Sequence, residues 1–333
     1  MILFFKRILV AIMAALTALL SPIGLHPLGA LAPKCDDVKL SFAVVSDIHL
    51  KGEYFRDDEL SAALLDMQNA TRRLDAFVMD GDNTDHGMPE QYEELKSVVE
   101  KFDPADNLFM VIGNHDTWSD DENGNNDPAY VKELFIKYSK EITDRDLDEV
   151  YFSQVINGYH FIVMGSESTH VAPTFSDRQI AWLASEMEAA SQDGMPIFVF
   201  SHTPLNGTHG LPYSFSLDKD APEDEGGIGE ENDAVKEILT SYDNVFYITG
   251  HIHGGFTKNI RGILTDYRSV EDVDGVTCIN LTCFGTPAPN GLDLLTMGTG
   301  YVVEVYEDRV ELRARNFMTG NWLPVFDFTF DLG

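Results

Sequence analysis

Five short apolar runs in this chain each lead into a cluster of side chains able to hold a cation, and this recurrence constrains the fold more than any other feature. The runs, 40–46, 76–79, 108–112, 197–200 and 245–249, are rich in β-branched and aromatic residues. They open onto Ser46-Asp47-Ile48-His49, Gly81-Asp82-Asn83-Thr84-Asp85, Gly113-Asn114-His115-Asp116, Ser201-His202 and Gly250-His251-Ile252-His253. Between them, segments 57–73, 89–102, 128–140, 176–190 and 230–241 show helical spacing and acidic or Ser/Asp starts. This alternation predicts an α/β domain with a largely parallel sheet core. Asn157-Gly158, between runs 151–156 and 159–164, predicts a hairpin that makes the sheet mixed. Beyond Gly255 the helical period disappears, and runs 301–306 and 309–315 predict antiparallel C-terminal strands. Groups just past the carboxyl ends of parallel strands converge on one crevice, so distant clusters can meet there. Caps and turns account for one or two such clusters, not for five.

Taken in order, the clusters resemble the D-x-H, G-D-x-x-D, G-N-H-[D/E], H and G-H-x-H signature of calcineurin-like metallophosphoesterases, spread from Asp47 to His253. The resemblance implies an αββα fold, a mixed β-sandwich core flanked by helices. It implies one ion held by Asp47, His49, Asp82 and His253, and a second held by Asp82, Asn114, His202 and His251, with Asp82 bridging. Mixed imidazole and carboxylate donors suit Mn, Fe or Zn better than Mg or Ca. Such a pair lowers the pKa of a bound water from about 15.7 toward about 7 and clamps a phosphoryl group. By the same resemblance His115 is not a ligand but assists the leaving oxygen, and Asp116 is its orienting partner. Purple acid phosphatases place a Tyr where this chain has Asp85, so Asp85 is expected to hydrogen-bond beside the metals rather than coordinate one. The implied activity is hydrolysis of a small phosphorylated substrate, a phosphodiester ahead of a phosphomonoester. The alternative, a non-catalytic metal-dependent binding protein on the same scaffold, fits poorly with a complete ligand set.

Charge excludes one class of partner. With 55 acidic against 23 basic residues the net charge is −32, which repels a phosphate backbone and leaves no basic stripe for a nucleic acid polymer. The 44% hydrophobic residues are ample for a packed core. At the N-terminus Lys6 and Arg7 precede an apolar run, 8–20, followed by Ser21-Pro22 and Ala30-Leu31-Ala32. This predicts an export signal over 1–32 ahead of a metallophosphoesterase domain over 33–333, secreted or held by an uncleaved anchor that is the one expected membrane link. Of the cysteines Cys35, Cys278 and Cys283, the last two sit in a strand-like run at odd spacing, where a bridge needs a turn.

Four histidines of the domain stand outside the signature. His209, in the long loop 205–229, and His86, after Asp85, are candidates for substrate or outer contacts. His170 follows a strand from whose end it can approach the crevice, a weaker candidate, and His160 is read as structural. Segment 117–127 reads as a polar flap with Trp118 and Tyr130 as aromatic contacts. It is not a calcium loop, since aligning Gly124 to the loop glycine puts Tyr130 where an acid must stand.

Overall fold

The computed structural model describes residues 29–50, 54–121, 123–168, 172–256, 265–285 and 297–332; the apolar run 8–20 and His170 lie outside them. In chain order the elements are β1 (Leu40–Val45), α1 (Tyr54–Gln68), β2 (Ala76–Asp80), α2 (Pro89–Val99), β3 (Leu108–Val111), α3 (Pro128–Thr143), β4 (Phe152–Ile156), β5 (Tyr159–Val163), α4 (Asp177–Ala190) and β6 (Ile197–Phe200). There follow α5 (Tyr213–Ser216), α6 (Asn232–Leu239), β7 (Val245–Thr249), β8 (Val270–Val273), β9 (Val276–Asn280), β10 (Thr299–Val305), β11 (Arg309–Asn316), β12 (Asn321–Trp322) and β13 (Phe328–Asp331). Among the described residues no helix is long and apolar enough to cross a membrane.

The strands form two sheets. One runs β12-β11-β10-β1-β2-β3, with β13 also on β11; the other runs β4-β5-β6-β7-β9-β8. β1, β2 and β3 are parallel, and β10 joins β1 antiparallel with Phe42 opposite Val303. The second sheet is parallel through β5, β6, β7 and β9, with antiparallel hairpins at either edge. The hairpin between β4 and β5 turns at Asn157 and Gly158, both at positive φ, as the dipeptide predicts. The mixed β-sandwich that the resemblance implies is thus present as two mixed sheets, with the antiparallel C-terminal strands continuing the first. Strand periodicity fixes which side chains share a face, but not which run pairs with which.

Period-two alternation divides each central strand between two cores. Phe42 and Val44 of β1 face the other sheet, where Phe42 meets Phe161 and Phe198 edge-on at 5.0 Å each. Ala43 and Val45 face outward and pack under α1, α2 and α3 with Leu60, Leu64, Leu95 and Phe135. On the far side Ile162, Val199 and Tyr247 pack under α4 and α6 with Leu183, Met187, Val235 and Leu239. The result is four layers, αββα, as the resemblance implied. Asp127 and Ser176 cap α3 and α4, accepting from Ala129 N–H at 3.0 Å and Gln179 N–H at 3.2 Å.

Residues 29–34 are packed on this domain, although 29–32 are read from sequence as leader. Leu31 is buried in the core beneath the helices, and its carbonyl accepts Thr71 N–H at 2.8 Å. Arg315 donates to the Gly29 carbonyl at 3.1 Å, Arg313 to that of Ala32 at 2.8 Å, and Lys34 Nζ pairs with Glu311 at 2.6 Å. A chain starting at Pro33 is therefore expected to be less stable than one starting at Gly29. Loss of the Leu31 side chain alone costs about 2–5 kcal/mol. Equal denaturation midpoints for the two would show that the segment contributes nothing.

Candidate metal centre

The site is built from strand ends of both sheets. β1, β2 and β3 lead into the Asp47, Asp82 and Asn114 clusters, while β6 and β7 of the opposite sheet lead into His202 and His251. The backbone turns sharply in three of the five clusters: Asp47, His49, Asp82, His251 and His253 all hold φ between 49° and 70°. Such left-handed geometry costs a non-glycine residue roughly 1–3 kcal/mol and persists only where neighbours enforce it. Here the loops are stitched together, with Asp47 N–H donating to Gly81 C=O at 3.1 Å, His49 N–H to Asp82 C=O at 2.8 Å and Gly285 N–H to Asp47 C=O at 3.0 Å. The close packing also explains two motif glycines. A Cβ on Gly81 would lie 2.4 Å from His202 Nδ1, and one on Gly250 would lie 1.9 Å from Ser46 Oγ.

The resulting geometry gathers all seven expected ligands. Asp47, His49, Asp82 and His253 each aim a donor atom into a space where these atoms lie within 4.8 Å of one another. His253 Nε2 is 3.2 Å from Asp47 Oδ1 and 2.9 Å from His49 Nε2. Asp82 Oδ2 lies between the two halves of the site, 3.6 Å from His49 Nε2 and 3.2 Å from His202 Nε2. On the far side His251 Nδ1 is 2.8 Å from Asn114 Oδ1. Two ring nitrogens at 2.9 Å repel through their lone pairs unless a proton or a cation lies between them. His251 Nε2 is moreover buried without a hydrogen-bond partner, which a folded protein seldom tolerates, and Asp82 Oδ2 faces the imidazoles of both halves. The donor set therefore fits two cations, with Asp82 placed to serve both.

Burial and charge polarise the site. Burial alone would push His49 and His202 down, but the carboxylates around them prevail, raising His49 to about 9 through Asp47, Asp85 and Asp82 and His202 to about 10 chiefly through Asp82. His251, buried beside His202, falls to about 3. Burial opposes ionisation of Asp47 too, yet His253, His49 and His202 hold its carboxyl well below the usual range. In protein stripped by a chelator, His49 and His202 consequently carry protons at pH 7, and a metal ion must displace them. Apparent affinity for Zn²⁺ or Mn²⁺ is expected to rise with pH from 6 to 8, by up to about tenfold per unit for each proton displaced. Calorimetry in buffers of different ionisation enthalpy should count more than one proton released. A pH-independent affinity without proton release would contradict this charge distribution.

Asp85 organises the rim. Its Oδ1 lies 3.4 Å from His49 Nδ1, its Oδ2 lies 2.8 Å from His86 Nδ1, and its carbonyl accepts from His115 Nδ1 at 2.9 Å. His115 itself stands beside the ligands, edge-on to His49 at 4.5 Å, with its backbone N–H on Asp82 Oδ1 at 2.8 Å. Because Nδ1–H is committed to a carbonyl, Nε2 is bare in the neutral ring and carries a proton only in the imidazolium.

Asp116 does not orient His115. Its carboxylate is buried and accepts from Asn83, Thr84 and Gly113 N–H at 3.2, 2.9 and 3.0 Å and from the Asn83 and Thr84 side chains at 3.0 and 2.8 Å, locking the second cluster to the third. The short helical turn His115–Thr117 points neighbouring side chains in different directions, so adjacency in sequence does not become contact. His209 is likewise tied down, its N–H on Glu271 and its Nδ1 on the Arg268 carbonyl, both at 2.6 Å, so it anchors the long loop to β8. His160 lies within β5 as a structural residue, and Tyr130 sits in the first turn of α3.

Three neighbours escape sequence reasoning. Phe215 of α5 stacks on the His251 ring at 4.7 Å; the length of the loop after His202 was the one signal for it. Cys283 is a buried thiol that donates to the Asp47 carbonyl at 3.6 Å and lies beside His49 and His253. Asp80 is buried with neither carboxyl oxygen hydrogen-bonded, and burial pushes its pKa well up.

Comparison with known proteins agrees with this geometry. The family model described as calcineurin-like phosphoesterase matches residues 40–255, which contain every expected ligand. The chain belongs to that family. Among curated relatives it is 27% identical over 228 residues to a probable cyclic nucleotide phosphodiesterase of Rhodococcus erythropolis, covering 66% of each chain. It is similarly 27% identical to a cAMP/cGMP dual specificity phosphodiesterase of Mycobacterium tuberculosis, covering 66% of this chain and 63% of that one. These matches span just under two thirds of each relative's own length. The human serine/threonine-protein phosphatase CPPED1 is 28% identical, with 71% of this chain and 68% of that one covered. Among solved structures a dimetal phosphatase from Danio rerio shares the fold with a TM-score of 0.59 at 16% identity, covering 89% of this chain and all of that one. A purple acid phosphatase from yellow lupin gives 0.57 at 11% identity, over 88% of this chain and 53% of that one.

Proposed function

We propose that this chain hydrolyses a small phosphoester, a phosphodiester ahead of a phosphomonoester, at a dinuclear centre of Mn, Fe or Zn. The observation that carries the reading is the position of Asp82, whose Oδ2 lies 3.2–3.6 Å from imidazoles of both half-sites and whose Oδ1 holds the backbone of His115. Bound cations supply the charge that polarises a phosphoryl group and lowers the pKa of water. Asp47, His49, Asp82 and His253 would hold one, and Asp82, Asn114, His202 and His251 the other. His115 works beside them: fixed through Nδ1 to the Asp85 carbonyl, it directs Nε2 at the leaving oxygen and, as the imidazolium, donates a proton to it. The cyclic nucleotide phosphodiesterase names of two relatives support the diester preference, and the mixed nitrogen and oxygen donors support transition metals. The apolar run after Lys6-Arg7 supports export, with catalysis outside the cytoplasm.

The test is metal analysis of purified protein with a screen of bis-p-nitrophenyl phosphate, p-nitrophenyl phosphate and a cyclic nucleotide, with Mn²⁺ or Zn²⁺ added. The diester is expected to turn over faster than the monoester. A fully metal-loaded sample that cleaves none of the three would instead indicate a binding protein on this scaffold.

A further inference from the structure

Trp118 is the one aromatic among the large exposed hydrophobic side chains of the described residues, 37% exposed. It is nevertheless rigidly held. It ends the turn His115–Thr117, in which Thr117 N–H and Oγ1 both bond the Asn114 carbonyl, at 3.1 and 2.6 Å. On either side of it, Asn126 Nδ2 donates to the Thr117 and Ser119 carbonyls at 2.8 Å each. The indole lies against His115 with ring centroids 3.9 Å apart and planes tilted by 31°. Its other neighbour is the His86 ring, edge-on at 5.6 Å, which Asp85 Oδ2 anchors at 2.8 Å. An aromatic pair fixed at the rim, with His86 more than half exposed, leaves apolar surface in water that burial elsewhere would have covered.

We propose that Trp118 and His86 form a shelf for a flat aromatic ring carried by the leaving group, a nucleoside or an aryl alcohol. The inference rests on the proposed role of His115. A proton donor must come within about 3 Å of the leaving oxygen, so whatever that oxygen bears extends past His115, and the surface met there is the Trp118 indole. The Trp118 ring meets those of His86 and His115, so this part of the rim offers a π-face to stack on. Stacking is tolerant of which ring is presented, since every base or phenyl has a π-face.

The experiment compares equilibrium binding of adenosine 5′-monophosphate and ribose 5-phosphate to metal-loaded protein, for the native chain, Trp118→Ala and Trp118→Phe. Both ligands carry the same phosphate and sugar, so their difference isolates the ring. The native chain is expected to favour the nucleotide; Trp118→Ala should weaken it about tenfold, change ribose 5-phosphate less than about twofold, and Trp118→Phe should restore most of the loss. Equal weakening of both ligands would show that Trp118 acts only by positioning His115, and an unchanged ratio would remove the shelf altogether. Because binding is read without turnover, a protein that fails to hydrolyse any ester overturns the proposed function and still reports on the shelf.

Discussion

Replacing His115 with Ala is expected to lower kcat by about 10²–10⁴-fold for a phosphoester with an alkoxide leaving group, while both cations remain bound. The ring donates no atom to the seven-ligand set, and its removal leaves Asp82 Oδ1 still accepting the backbone N–H of residue 115. For a leaving group stable as an anion at neutral pH, such as p-nitrophenolate, the loss should be much smaller, because no proton is needed there. The pH dependence has a definite sign. Burial lowers the His115 pKa, only partly opposed by Asp82, and the proton-bearing form is the donor. Activity on alkoxide esters should therefore fall as pH rises through a value below 6.5, and the variant should lose that limb. Metal loss from His115→Ala, or equal losses on both kinds of leaving group, would contradict the assigned role.

Asp82→Asn is expected to remove the centre itself. The amide keeps the shape and can still accept from His115 N–H, so the fold survives, but the shared negative charge between His49 and His202 is gone. Metal affinity should drop by more than the about 10–100-fold that loss of an outer partner costs, and turnover should fall to the background of added metal. Without that carboxylate the His202 pKa should also fall, since Asp82 is the main force raising it against burial. Metal analysis after gel filtration decides the matter. A variant retaining two ions per chain would show that Asp82 does not bridge.

Much of this site was legible because its ligands obey local rules. Asp47-x-His49 and His251-x-His253 follow apolar runs, and Gly81 and Gly250 stand where a Cβ would strike His202 or Ser46. Asp116 was misread for the complementary reason. A carboxylate next to His115 in sequence is a plausible partner, but which groups it reaches depends on how clusters two and three are laid side by side, and there five donors claim it. Phe215 and Cys283 were invisible as site neighbours because they arrive from the short helix α5 and from the segment after β9, neither of which carries an expected ligand.

By itself the sequence determined the candidate chemistry: which side chains can hold cations, that they follow strands, the hairpin at Asn157-Gly158, and the net charge of −32. Only the tertiary structure decided which strands pair in each mixed sheet, that the candidate ligands from both meet across one edge, that the Asp85 carbonyl rather than the Asp116 carboxylate meets His115 Nδ1, and that residues 29–32 pack on the domain. The reason is physical: periodicity and motif are set by contacts within a few residues, whereas pairing, face-to-face packing and hydrogen-bond partners depend on segments brought together from more than two hundred positions apart, as Asp47 and His253 are.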